Sequence, residues 1–241
     1  MADTFGIERA PTGIEGLDDL IEGGFPRGYV ILVTGTPGTA KTTFGMQFIV
    51  NGALKHNENG LYIGPSSYFR ELKAQFMRYG YDLEKLQNEG KILVVTPRAR
   101  VEEGEDLVNV FDEDLQKKIV SHNIKRVTID PLTLMLMFSK EFGGRRRILE
   151  KLVDYLKESG VTALLTHERS LGSAEEIEYG MEEFVVDGIV YLQLIRVGNL
   201  FKRAITILKL RGTKHPIDIH LFDLAEEGIR IYPSNIKLFD R

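Results

Sequence analysis

The chain has 241 residues, with 31 Lys and Arg against 35 Asp and Glu, a formal net charge of −4 and a pI near 5.8. Apolar residues at 43% with so small a net charge exclude disorder as a description of the whole chain, and the acidic pI excludes a protein that coats nucleic acid through its overall charge. No Cys is present, which removes disulfides, zinc ribbons, iron–sulfur clusters and thiol catalysis together; with no signal-like start and no apolar window of about 18 residues, a cytoplasmic protein without membrane insertion is expected.

Residues 1–27 form a turn-rich lead-in, with a short helix expected inside TGIEGLDDLIEGGFPRG. The stretches at 29–34 (YVILVT), 60–64 (GLYIG), 92–96 (ILVVT), 126–130 (RVTID) and 162–166 (TALLT) are short and almost continuously apolar, as buried strands are. Helical patterns at 42–54, 68–79, 113–122 and 145–159 alternate with them. Strand and helix in alternation predict an α/β fold with a mostly parallel sheet covered on both faces. From Asp187 onward the pattern changes. Residues 188–194 and 203–209 flank a turn at Gly198 and Asn199, and 228–232 follows, so 187–233 is expected to add antiparallel strands to one sheet edge. With no repeat and no Gly/Ser linker, residues 1–241 are expected to form one domain.

Residues 35–43 read GTPGTAKTT between a strong strand and a strong helix, the context that G-x-x-x-x-G-K-[ST] requires. Gly35, Thr36, Pro37, Gly38, Thr39 and Ala40 carry little bulk, so their backbone N–H groups can turn inward around a phosphate at the positive end of the helix. Lys41 is placed to reach β- and γ-phosphates, the Thr42 hydroxyl to bind Mg²⁺, and Thr43 follows in the first turn. Ala40 stands where the pattern has its second Gly. A Cβ there is harmless at negative φ and costly at positive φ; the loop is expected to form, with affinity at stake. Asp130 closes an apolar strand, at the sheet edge where ligands of open α/β sheets bind. There it would hold the metal through water.

On these residues the chain resembles the KaiC-like branch of the RecA superfamily of P-loop ATPases, from about residue 12 to residue 233. The lead-in, GTPGTAKT, TIDPLT at 128–133, THER at 166–169, YGMEEFVVDGIVYL at 179–192 and, above all, KLRGTKH at 209–215 are similar to that branch's motifs. The resemblance implies a RecA-like core, ATP or ADP with Mg²⁺, and a homo-oligomeric ring, commonly of six subunits, with nucleotide between neighbours. It also implies that Lys209 and Arg211 reach a neighbour's γ-phosphate, with Leu210, Thr213 and His215 beside them. Read alone, Lys209 and Arg211 are strand-end surface cations alternating with an inward Leu210.

The chain departs from the family in one chemical respect. An acidic residue, often a Glu pair, follows the second core strand in the family and deprotonates the attacking water. Here those positions are Ser66 and Ser67, which cannot act as carboxylate bases. Tight ATP binding with slow hydrolysis is therefore expected, with Glu71 and Glu168 as possible substitutes. Residues 182–191 contain no Ser or Thr, so no phosphorylation switch of the kind known in the family is expected there. The leading expectation is a nucleotide-dependent regulator of a partner protein. The alternatives are a DNA-dependent recombinase-like ATPase using Arg145, Arg146 and Arg147 or Arg98 and Arg100, and a structural ring cemented by nucleotide. The Met-rich stretch 132–138 is expected in the core or an interface, and His56, His122 and His220 have no metal-ligand spacing.

Overall fold

The structure, a computed structural model, describes residues 6–96, 113–133, 142–169 and 182–232. Arg98, Arg100, the charged stretch 97–106, residues 134–138 of the Met-rich stretch and residues 179–181 lie outside them. In the lead-in, Arg9–Ala10 (β1) pairs antiparallel with Phe25–Pro26 (β2), and Leu17–Leu20 (α1) lies between them. Asp18 fastens this segment: its carboxylate accepts from the Thr12 amide and hydroxyl and from the Gly13 amide at 2.7–3.0 Å.

The core alternates as the apolar pattern predicts. Val30–Gly35 (β3), Lys41–Lys55 (α2), Asn59–Ile63 (β4), Ser66–Arg78 (α3), Leu83–Asn88 (α4) and Ile92–Val95 (β5) come first. Then follow Glu113–Ser121 (α5), Ile124–Ile129 (β6), Phe142–Glu158 (α6), Thr162–Glu168 (β7) and Glu182–Val185 (α7). Gly188–Val197 (β8), Leu200–Leu210 (β9), His220–Ala225 (β10) and Gly228–Ile231 (β11) complete the chain. Nine of these strands form one sheet in the order β11-β10-β9-β8-β3-β7-β6-β4-β5. The expectation placed the antiparallel portion from Asp187 onward; β8 in fact runs parallel to β3, and antiparallel pairing begins with β9. Gly198, at φ +61°, supplies the left-handed residue that the two-residue β8–β9 loop needs.

Both faces of the sheet are covered, which is why its strands read as continuous apolar runs. Val30 and Leu32 face the core shared with α5 and α6, whereas Ile31 and Val33 face the side of α1 and α2. Helix α2 is buried along 43–53 and packs against β4, β6 and β7, so the segment following the phosphate loop is the central helix of one layer. Asp82 starts α4 by accepting from the Lys85 amide at 2.9 Å, a helix cap that makes up for a weak apolar pattern.

The opposite, N-terminal edge of the strands is held by a charge inside the core. Arg126 on β6 has 0% exposure. Its Nε donates to Glu58 Oε2 at 2.6 Å, and its Nη1 donates to the Pro11 and Phe48 carbonyls at 2.8 and 3.0 Å. The guanidinium lies 4.6 Å from the Phe48 ring centroid. A Cβ on Gly52 would come within 2.3 Å of the Arg126 side chain, so that glycine makes room for it. Burial raises the Glu58 carboxyl, but Arg27 and Arg126 outweigh it and hold the group below the ordinary range.

Removing one partner of such a pair leaves a charge stranded in the core. Glu58→Gln is expected to cost about 3 kcal/mol in chemical denaturation. A carboxyl depressed in the folded state stabilises above its unfolded pKa, about 4.3, and loses that contribution as pH falls through the folded value. The gap between parent and Glu58→Gln should therefore be full at neutral pH and narrow below pH ~4.

Candidate functional site

The loop between β3 and α2 is held by its own backbone and by a glycine that admits no side chain. A Cβ on Gly35 would lie 2.1 Å from the Leu192 carbonyl oxygen, and Gly38 adopts φ +81°. The Thr39 hydroxyl, fully buried, donates to the Thr36 carbonyl at 2.7 Å. Ala40 adopts φ +70°, ψ +27°, the left-handed region. The sequence left the sign of that φ open, and the structure places the Cβ in the costly basin, at roughly 1–2 kcal/mol for a non-glycine residue.

Lys41 Nζ donates to the Gly35 and Thr36 carbonyls, each at 2.9 Å, so the ammonium sits in the mouth of the loop. Burial lowers it below the ordinary lysine range, with Glu168 and then Asp130 opposing the shift. A half-buried cation in a loop of small residues at a helix start is suited to receive an anion, and a phosphate there would offset the burial cost.

Asp130 follows β6 directly and is buried. The Thr166 hydroxyl donates to its Oδ1, and the Tyr62 hydroxyl donates to its Oδ2 at 3.1 Å. Burial, then the charge and hydrogen bond of Asp130, push the Tyr62 hydroxyl well above its ordinary range, so it stays a donor. Hydroxyl and carboxylate oxygens from Thr42 and Asp130 are hard donors of the kind Mg²⁺ takes, and the two donors already on Asp130 suit a contact through water. Among the described residues no three His, Asp or Glu cluster into an all-protein metal site.

Residues outside the loop complete this edge: Glu168 and Arg169 of the THER motif, and Arg203, which no motif marked. Glu168 ends β7 directly beside Gly35 in the parallel ladder, and the Arg169 amide donates to the Gly35 carbonyl at 3.1 Å. Arg203 on β9 donates from Nε to the Gly38 carbonyl at 3.2 Å. Thr166 could have been found from its place at the apolar end of β7, whereas nothing in 60–64 marks Tyr62 as a polar partner. Ser66 and Ser67 are the first two residues of α3, which starts earlier than the 68–79 pattern indicates, and Ser67 is exposed.

The structure does not bring Lys209 and Arg211 to this loop. Gly35 lies opposite Leu192 of β8, whereas the end of β9 at Leu210 lies opposite Gly188. The difference of four positions is roughly 13 Å at about 3.3 Å per residue. Lys209 is not a free surface cation either: its Nζ donates to the Glu183 and Val186 carbonyls at 3.1 and 2.7 Å. Burial lowers its pKa; Arg211 adds to that, Asp187 opposes it and Lys157 lowers it again. Arg211 is 55% exposed and lies 3.4 Å from Asp187, which also accepts from Lys157 at 2.7 Å. Arg9, buried in the lead-in, donates to the Thr213 hydroxyl, to the Gly212 carbonyl at 3.3 Å and to Glu22 at 2.9 Å. His215 is half-buried, its Nδ1 3.1 Å from the Pro216 carbonyl. Arg145, Arg146 and Arg147 are exposed on α6, and Arg146 pairs with Glu150 at 2.9 Å. Among the described residues no helix is long and apolar enough to cross a membrane.

A phosphate loop at the carboxyl edge of a mostly parallel sheet, with a buried carboxylate two strands away, defines a RecA-like nucleotide-binding domain. The family described as ATPase: KaiC matches residues 10–236, and the chain belongs to that family of ATPases. It is 37% identical over 97% of its length to the circadian clock oscillator protein KaiC of Parathermosynechococcus lividus, and 35% identical over 94% to that of Synechococcus elongatus. It covers 44% of each, so it spans less than half the length of these curated relatives. The crystal structure of a KaiC-like protein from the archaeon Pyrococcus horikoshii OT3 superposes with a TM-score of 0.81 at 35% identity, covering 94% of this chain and 100% of that one.

Glycine occupies the left-handed region without the strain that Ala40 carries. Ala40→Gly is expected to stabilise the fold by about 1 kcal/mol, which for a chain of this size is a rise of about 2–4 °C in unfolding midpoint by calorimetry.

Proposed function

We propose that this chain binds ATP·Mg²⁺ through residues 35–43, with Thr42 and Asp130 holding the metal. We further propose that it assembles head to tail into a ring, six-membered by its family, in which Lys209 and Arg211 serve the neighbour's nucleotide. The observation carrying this reading is the division of the site residues between two edges of one sheet. The loop is at the carboxyl edge, while Lys209 and Arg211 lie at the opposite end with their own local partners. A head-to-tail contact unites two such edges from different copies, and cations supplied across it make catalysis depend on assembly. The bound metal would neutralise charge on the phosphates.

Turnover is slow on this reading, because Ser66 and Ser67 occupy the family's base positions. The product of binding is then a conformation, read in the cytoplasm by a partner protein. Light scattering with and without ATP·Mg²⁺ tests assembly: the mass should rise severalfold with nucleotide in the parent and not in Lys41→Ala. A mass that ignores nucleotide in both sinks the ring. Ser67→Glu or Ser66→Glu, which returns a carboxylate to the family's base position, should raise steady-state phosphate release above that of the parent. Fast release from the parent, abolished by Lys41→Ala, contradicts the slow-turnover reading.

A further inference from the structure

Glu168 stands apart from the other carboxylate of the phosphate edge. Asp130 is buried and accepts hydrogen bonds on both oxygens, from Thr166 and Tyr62, so its orientation is fixed and its lone pairs are engaged. Glu168 is exposed, and no hydrogen bond or ion pair to another described residue holds its carboxylate. Its backbone is nevertheless fixed. It lies opposite Gly35, the first residue of the phosphate loop, and the next amide donates to the Gly35 carbonyl at 3.1 Å. Its charge is also the leading attraction felt by the Lys41 ammonium, ahead of Asp130. A carboxylate with unengaged lone pairs, open to solvent, on a rigid strand end beside the γ-phosphate lysine, meets the requirements for accepting a proton from water.

Resting on the ATP-binding reading above, we propose that Glu168 is the general base for such ATP hydrolysis as this chain performs, in place of the acidic residues replaced by Ser66 and Ser67. A water oxygen forms a bond to the γ-phosphorus. The bond from that phosphorus to the β,γ-bridging oxygen breaks, and its electron pair stays with ADP. The water proton passes to the Glu168 carboxylate and from there to solvent. The site supplies position through the loop amides and Lys41. Glu168 supplies the proton acceptor that serine cannot.

The test is single-turnover phosphate release from ATP in the full chain with Mg²⁺, read against pH, alongside binding of a fluorescent ATP analogue. Glu168→Gln keeps the side chain's size and removes its basicity. Release should fall by about 100-fold, with the acid limb of the pH profile lost, while analogue binding stays within threefold of the parent or tightens as a negative charge leaves the phosphates. Glu71→Gln should leave both near the parent values, and Ser67→Glu in the Glu168→Gln background should restore release. Release within twofold of the parent in Glu168→Gln, an acid limb that survives the substitution, or no release from a parent that binds the analogue overturns the proposal. Failure of the parent to bind the analogue, with Lys41→Ala no worse, overturns instead the nucleotide site itself.

Discussion

Everything at the phosphate edge follows from parallel pairing. Because β3, β7 and β6 run side by side in the same direction, their carboxyl ends arrive together. Gly35 and Glu168 are ladder partners, and Ile129 lies opposite Leu165, which brings Asp130 to Thr166. A register slip of one residue in β7 would turn Thr166 away from Asp130 and reverse the facing of every residue on that strand. The buried layers on both sides of the sheet fix that register, so the site's geometry is a consequence of core packing. The loop adds a turn of small residues at a helix start, the place where backbone N–H groups can meet an anion.

How much of this was legible in the sequence differs by the physics involved. The five core strands and four helices announced themselves because strands buried on both faces must be continuously apolar and the helices between them periodic. The loop was legible because Lys41 and Thr42 follow small residues between two such elements. Strand β10 was missed: its HLFDLA mixes polar and apolar residues at the sheet margin, where one face is partly wet. Helix α4 was missed because it is six residues long and depends on the Asp82 cap. Arg126 could not be read as core from its type, since burying a guanidinium needs Glu58, two carbonyls and the space beside Gly52 to converge from distant positions. Backbone sign at Ala40 is likewise a tertiary property. Small residues suggest a turn, but only the closed loop shows which basin a Cβ must occupy.

Charge is distributed with a logic that spans the molecule. At one end of the sheet a lysine sits among carbonyls with carboxylates beyond it. At the other, Lys157, Lys209 and Arg211 gather around Asp187, one acid for three bases. The first sets one lysine against two acids, Glu168 and Asp130. The second holds surplus positive charge that one acid does not neutralise.

The reach of Arg9 gives the lead-in a significance beyond covering the core. Its guanidinium grips Gly212 and Thr213, the latter 204 positions away along the chain. The β1–β2 ribbon therefore works as a strut under the 209–215 turn. A fused tag or a bound protein that loads this strut is therefore expected to displace those cations through Arg9.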